Sequence, residues 1–231
     1  MSKTHCATYT KSIERKIIEL LGDRPGIGFD PFAGEGKSLP AFGQPPPAER
    51  YFIGWELEAP WADQTPNVHQ GDSTRAAEEF PPGFFDFIVT SPCYGNRFAD
   101  HHTPRNGEAP DARRGYTYDI RRLTEDPTYT LDENNAGLYA FGTEKYARLH
   151  EAVYAACTVV AKDDAEFILN VKNFQRDHGM VDVVRWHVLT LEHLGWGVAA
   201  RHHVQTPNMG RGQNGKARAD GEWVFQLRRA A

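Results

Sequence analysis

Four short stretches of this 231-residue sequence hold side chains suited to chemistry, and each follows an apolar run. The first is "FDPFAGEGKS", Phe29 to Ser38. Asp30 ends a strand-like run there, and Gly34 and Gly36 lack the Cβ that would keep a ligand off the backbone. A tight turn with no ligand fits the same residues. Lys37-Ser38 looks like the end of a phosphate-binding loop, but GxxxxGK[ST] needs glycine where Pro31 stands. The second is Glu56, closing "YFIGWE" about twenty residues beyond the glycine turn, where a carboxylate accepts hydrogen bonds from ribose hydroxyls or is simply solvated. The third is Asp72 in "VHQGDST", suited to accept from the exocyclic amine of adenine, or to cap a turn. The fourth is "TSPCYGNR", Thr90 to Arg97, in which a chain leaving the apolar run "FFDFIV" presents a hydroxyl, a proline and an aromatic ring together.

Elements that bring these stretches together are legible from periodicity. "SIERKIIELL" has helical spacing and stops at Gly22 and Pro25. "GIGFD", "YFIGWE", "NVHQGD" and "FFDFIV" read as strands separated by Gly/Pro-rich or helical crossovers, which predicts a parallel sheet with its carboxyl edge lined by Asp30, Glu56 and Asp72. Ligands bind at that edge. Periodicity returns in "TEKYARLHEAVYAACTVVA", with Tyr146, Leu149, Val153, Ala156 and Val160 on one helical face. "AEFILNV" then reads as a strand, "MVDVVRWHVLTLEHLG" as a helix capped by Gly195, and "GWGVAARHHVQT" with "EWVFQLRR" as a closing strand pair.

Composition is that of an ordinary globular chain: 40% apolar, 25% charged, formal charge -5. A single domain over 1–231 is expected. No apolar run is long enough to span a bilayer, and the polar N-terminus shows no signal-peptide core, so a cytoplasmic location and no membrane partner are expected. Cys6, Cys93 and Cys157 lack metal or disulfide spacing. The pairs His101-His102 and His202-His203 have no completing ligands in sequence, so no metal site is expected. Charge is unevenly spread: residues 97–122 hold six arginines against four acids, and residues 201–231 six basic residues against two acids. Two basic segments on an acidic protein form a basic face if the fold joins them.

The sequence "DPFAGEG", a strand-end glutamate, "GDS" and then "SPCY" together resemble the S-adenosylmethionine-dependent DNA amino-methyltransferases, whose cofactor loop is typically DPF-x-G-x-G and whose catalytic motif is [DNS]-P-P-[YF]. The upstream "THCATYTKSIERKII" is similar to a His-Pro-Ala type segment of one subgroup. That resemblance implies a Rossmann-like class I methyltransferase: α/β, with a seven-stranded, mostly parallel sheet and an antiparallel last strand. It implies S-adenosyl-L-methionine as cofactor, held by Thr8, Asp30, Phe32, Ala33, Gly34, Gly36, Glu56, Asp72 and Ser73, and double-stranded DNA as partner. Ser91 and the Pro92 carbonyl would accept from the two hydrogens of an exocyclic amine, and Tyr94 would stack on a flipped base. Serine in the first position points to the 4-amino group of cytosine ahead of the 6-amino group of adenine.

Cys93 and Cys6 stand where proline is usual, which removes φ restriction from both loops, and Lys37 stands where threonine is common. Attack by Cys93 on a pyrimidine ring carbon is the rival chemistry at this site. The polar stretch 97–143, with Arg pairs between tyrosines, is the expected target-recognition element; an exposed solvated loop fits it too. Arg211, Asn214, Lys216 and Arg218 offer contacts to a phosphate backbone. An RNA or tRNA amine methyltransferase and a catalytically degenerate nucleic-acid-binding protein are the alternatives. A restriction-modification or phage self-protection role is compatible with such a chain.

Overall fold

In the computed structural model, residues 9–43, 49–62, 64–95, 128–176, 179–205 and 221–230 are described. Helix α1 (Lys11–Leu21) opens on Thr10, whose hydroxyl accepts from the Ile13 amide at 3.4 Å, and closes on Gly22 at φ 55°. Its buried residues Ile13, Ile17 and Leu21 recur every four positions, which is one helical face.

The strands β1 (Gly26–Asp30), β2 (Arg50–Glu56), β3 (Val68–Gln70), β4 (Phe85–Thr90), β5 (Ala161–Val171), β8 (Trp196–Gln205) and β9 (Gly221–Arg229) form one sheet in the order β3-β2-β1-β4-β5-β9-β8. Strands β6 (Phe174–Arg176) and β7 (Gly179–Val181) pair separately. Pairings from β3 through β5 are all parallel, whereas β9 runs antiparallel to both β5 and β8. The sheet is therefore mostly parallel with an antiparallel last strand, as the family resemblance implies. The chain moves outward through β1, β2 and β3, then returns to place β4 on the other side of β1. That reversal opens a crevice at the carboxyl ends of β1 and β4.

Successive residues of a strand face opposite sides, and the core divides accordingly. Phe167 and Leu169 of β5 join Phe29, Phe85, Tyr154 and Trp196 in one cluster. Ile168 joins Ile13, Ile17, Phe52, Phe87 and Val89 in the other. Helices α2 (Glu144–Val160) and α3 (Val183–His193) cover the first side, and α1 covers the second. All five apolar positions predicted for one face of α2 are buried.

The crossovers after β1 and β2 hold single helical turns, Leu39–Phe42 and Ala59–Ala62, each with a proline, in keeping with the expected Gly/Pro-rich or helical connections. One expectation changes. The helix expected from Met180 begins at Val183, because Asp182 caps it by accepting from the Arg185 amide at 3.2 Å, and Met180 belongs to β7.

Arg50, at the start of β2, is 3% exposed and faces carbonyls. Its Nε donates to Phe42 O at 2.6 Å, and its Nη1 to Leu21 O, Gly22 O and Arg24 O at 3.3, 2.8 and 3.2 Å. It thus ties the negative end of α1 to the sheet. Replacing Arg50 with Met should lower urea-unfolding stability by about 3 kcal/mol, because buried carbonyls lose charged donors. Arg75→Met, which breaks only an exposed pair with Glu78, should change it by less than about 0.5 kcal/mol.

Candidate functional site

Asp30, the last residue of β1, is 2% exposed. Its Oδ1 accepts from the Phe32 amide at 3.0 Å and the Thr90 hydroxyl at 2.9 Å. Burial pushes its pKa up to about 7 against these two stabilising bonds. The chain then turns through Gly34 at φ 55° and Gly36 at φ 62°, the left-handed region that glycine enters without strain. A Cβ on Gly36 would stand 2.2 Å from Val68 Cγ2, so this glycine is required by space as well as by angle. The turn is pinned from neighbouring strand ends: the Ala33 amide donates to Trp55 O at 3.1 Å, and the Thr65 hydroxyl donates to Glu35 O. Lys37 ion-pairs with Glu35, and Ser38 turns its hydroxyl to Glu14 at 3.1 Å.

At the end of β2, Glu56 is buried and its pKa is raised to about 7, first by burial and then by the nearby charges of Glu58 and Asp30. Backbone amides of Glu58 and Gly34 oppose the shift, with Glu58 N at 3.0 Å from Oε1. Glu58 has a different task. Its Oε1 accepts from Asn135 Nδ2 at 2.7 Å and the Asp132 amide at 3.1 Å, and its Oε2 accepts from the Tyr129 hydroxyl at 2.7 Å. One carboxylate thereby clamps residues 129–135 over the sheet edge. Asn134 from that strap donates to Asp72 Oδ2 at 3.1 Å, and Asp72 Oδ1 caps the following turn through Thr74 N and Oγ1. Ser73, expected among the ligand contacts, lines the cavity but gives its hydroxyl to Pro31 O at 2.8 Å, which supports the glycine turn.

Past β4, the loop from Ser91 to Gly95 lies beside Asp30. Ser91 Oγ and the Tyr94 hydroxyl are 3.0 Å apart. The Cys93 carbonyl accepts from Tyr146 at 2.7 Å, and Gly95 O accepts from the Phe141 amide at 3.2 Å. Asp30, Glu56, Asp72, Ser91 and Tyr94 all line one cavity, with about 1530 Å³ of empty space including its mouth. Phe32, Ala33, Gly34, Gly36 and Pro92 line it as well. Thr8, Cys6, His101, His102 and the basic loop with Arg211, Asn214, Lys216 and Arg218 lie outside the described residues, as do 97–127 of the expected recognition element. Residues 134–137, at the far end of that element, are instead part of the cavity wall. His202 and His203 sit on β8, and His203 packs on Trp223 at 5.0 Å.

Sequence reasoning missed Thr90, Glu58, Asn134, Asn135, Tyr9, Asn170 and Glu222. Thr90 directly precedes the motif, and Glu58 follows Glu56 by two residues in "ELE"; both were within reach of the pattern. Tyr9, whose ring meets Phe42 edge-on at 5.5 Å, and Glu222 come from opposite ends of the chain, and no local signal joins them.

The chain matches no known protein-family model and no curated protein. Its fold is similar to that of the 1,6-didemethyltoxoflavin-N1-methyltransferase of Burkholderia thailandensis, with TM-score 0.51 and 13% identity over 94% of this chain and 76% of that one. A SAM-dependent methyltransferase from Methanosarcina mazei gives TM-score 0.52 at 9% identity, over 93% and 97%. TrmN from Thermus thermophilus gives 0.50 at 12% identity, and this chain spans 48% of its length. These likenesses establish a Rossmann-like fold of the class I methyltransferase type.

Asp30→Asn keeps both bonds, since both go to Oδ1, and removes the need to ionise a buried carboxyl. Because the folded pKa of about 7 lies above the reference of 3.8, the wild type loses stability as pH rises between those values, and the loss is complete above 7. Asp30→Asn should therefore be more stable than wild type by about 2 kcal/mol at pH 8. In denaturant titrations the gain should shrink steadily towards pH 5.

Proposed function

We propose that this chain is a DNA methyltransferase that uses S-adenosyl-L-methionine to methylate an exocyclic amine of a base flipped from double-stranded DNA, the 4-amino group of cytosine ahead of the 6-amino group of adenine. The observation that carries the reading is the shared cavity in which Thr90 links Asp30 to the loop bearing Ser91, Pro92 and Tyr94. Residues of the wall fit the cofactor. The two left-handed glycines bare the backbone, Glu56 presents a buried carboxylate to ribose hydroxyls, and Asp72 Oδ2, now facing Asn134, offers an acceptor for an adenine amine. The solved Burkholderia thailandensis enzyme of this fold holds S-adenosylhomocysteine, which supports the same choice.

When bound, S-adenosyl-L-methionine supplies an electrophilic methyl group on a sulfonium centre. The protein's part is orientation and charge. Ser91 Oγ has two lone pairs, so it accepts from an amine hydrogen while keeping its contact with Tyr94. The Pro92 carbonyl accepts from the other, and the pair favours the pyramidal nitrogen of the transition state. That nitrogen then sheds one proton to water through the open cleft, and no strong base is needed. Tyr94, partly buried against the core, offers a π-face in place of the stacking lost on flipping. The sequence stretches 97–122 and 211–218 supply arginines and a lysine for the phosphate backbone, whereas Arg228 and Arg229 are engaged by Glu166 and Thr158.

Incubation with methyl-labelled cofactor and unmethylated duplex DNA or RNA, followed by digestion to nucleosides, tests the proposal. Labelled N4-methylcytosine from DNA is expected; label in RNA alone, or none, overturns it. Tyr94→Ala should slow transfer by about a hundredfold while changing cofactor affinity less than about threefold, and equal losses would contradict the stacking role. Cofactor affinity should rise about tenfold or more from pH 6 to 8, then level off, as Asp30 and Glu56 ionise around 7. Calorimetry on Glu56→Gln should show a flatter profile.

A further inference from the structure

Behind the Ser91–Gly95 loop lies a chain of polar side chains that cofactor binding does not use. The Tyr146 hydroxyl is 2.7 Å from Cys93 O and 2.9 Å from His187 Nε2, and His187 Nδ1 is 2.7 Å from the Tyr154 hydroxyl. Tyr146, His187 and Tyr154 are 1%, 0% and 0% exposed. The polarity of this chain is fixed by chemistry. A carbonyl only accepts, so the single proton of Tyr146 points at Cys93. The Tyr146 oxygen must then receive the proton of His187 Nε2, which leaves Nδ1 to accept from Tyr154. Every polar atom along the line is thereby satisfied. Burial holds His187 well below its usual pKa, in keeping with one neutral tautomer.

The anchors are rigid. Tyr146 and Tyr154 stand on α2 and His187 on α3, and the Tyr146 ring is held 4.1 Å from that of His150. His150 donates from Nδ1 to Tyr146 O at 2.9 Å and stacks on Phe32 of the glycine turn at 5.4 Å. One buried cluster therefore touches both loops of the site.

We infer that Tyr146, backed by His187 and Tyr154, is the positioning residue of the amine-binding loop, fixing the Cys93 carbonyl and thereby the peptide that carries Tyr94. Where a proline at position 93 would restrict φ, this hydrogen bond restricts ψ, so the loop regains from the helices the stiffness that its sequence lacks. The inference rests on the methyltransferase reading for its kinetic consequence, and its geometric part does not.

Two measurements test it. In wild-type protein with ¹⁵N-labelled histidine, His187 should show a protonated Nε2 and a bare Nδ1; the opposite tautomer overturns the relay. In single-turnover transfer, Tyr146→Phe should be slowed about tenfold or more with cofactor Kd within about twofold, because the ring stays and only the hold on the loop is lost. Tyr154→Phe, which leaves the Tyr146 hydroxyl in place, should transfer within about threefold of wild type even where its melting temperature falls as far. Wild-type speed in Tyr146→Phe, or equal slowing in both variants, overturns the positioning role. Should Tyr146→Phe fail to fold, the tautomer decides. Absence of transfer by the wild type on any nucleic acid would overturn the methyltransferase reading alone. The relay would then stand or fall on the tautomer and on faster amide exchange at residues 93–95 in Tyr146→Phe.

Discussion

The hydrogen bond from the Thr90 hydroxyl to Asp30, 2.9 Å long and fully buried, joins the two strand ends from which the site is built. It crosses between β1 and β4, the pair at which the sheet reverses its strand order. Parallel strands here all point their carboxyl ends the same way, so adjacency in the sheet converts two loops distant in sequence into facing walls. The bond sets their spacing. Asp30 is held against the glycine turn by Phe32 N and against the Ser91 loop by Thr90, through the same oxygen. Asp30 itself lines the cavity, and burial keeps it near its titration point at neutral pH.

Around that junction the carboxylates divide their work. Asp30 and Glu56 are buried acids whose ionisation opposes folding and favours a cationic or hydroxyl-bearing ligand. Glu58 spends its oxygens on the strap 129–135, and Asp72 serves both sides, capping Thr74 and holding Asn134 while lining the cavity. A site of this kind trades stability for readiness, since the groups that would meet the ligand are the ones least well solvated without it.

Much of this was legible in the sequence, because β1 and β2 close their apolar runs on Asp30 and Glu56, and short apolar runs between Gly/Pro-rich connections mark buried parallel strands. The closing strand pair and the burial of the α2 face agree with the pattern, whereas the place of β9 between β5 and β8 had no signal in it. Local rules failed where the partner is far away. Periodicity places Tyr146 and Tyr154 on a buried face but says nothing of a histidine at 187 completing their hydrogen bonds. It cannot separate Glu56 from Glu58, two residues apart on a chain leaving the strand, although one lines the cavity and the other secures its cover. Of the two uses expected of Asp72, the turn cap is seen directly, and the residue also lines the cavity wall.

Gly95 and Phe141 meet as the two ends of the stretch between β4 and α2. Gly95, in a left-handed conformation at φ 69°, lies against Phe141, whose amide binds Gly95 O. A Cβ on Gly95 would press within 2.3 Å of the Phe141 nitrogen, so only glycine lets the two ends meet this closely. With these ends pinched together, added chain length between positions 96 and 127 would cost only about 0.6 kcal/mol per doubling in closure entropy, whereas residues 129–137 are tied to Glu58, Asp72 and the cavity wall. Sequence change ahead of Tyr129 leaves the Glu58 clamp and the cavity wall as they are, so evolution or design has room there to vary the chain without rebuilding the site.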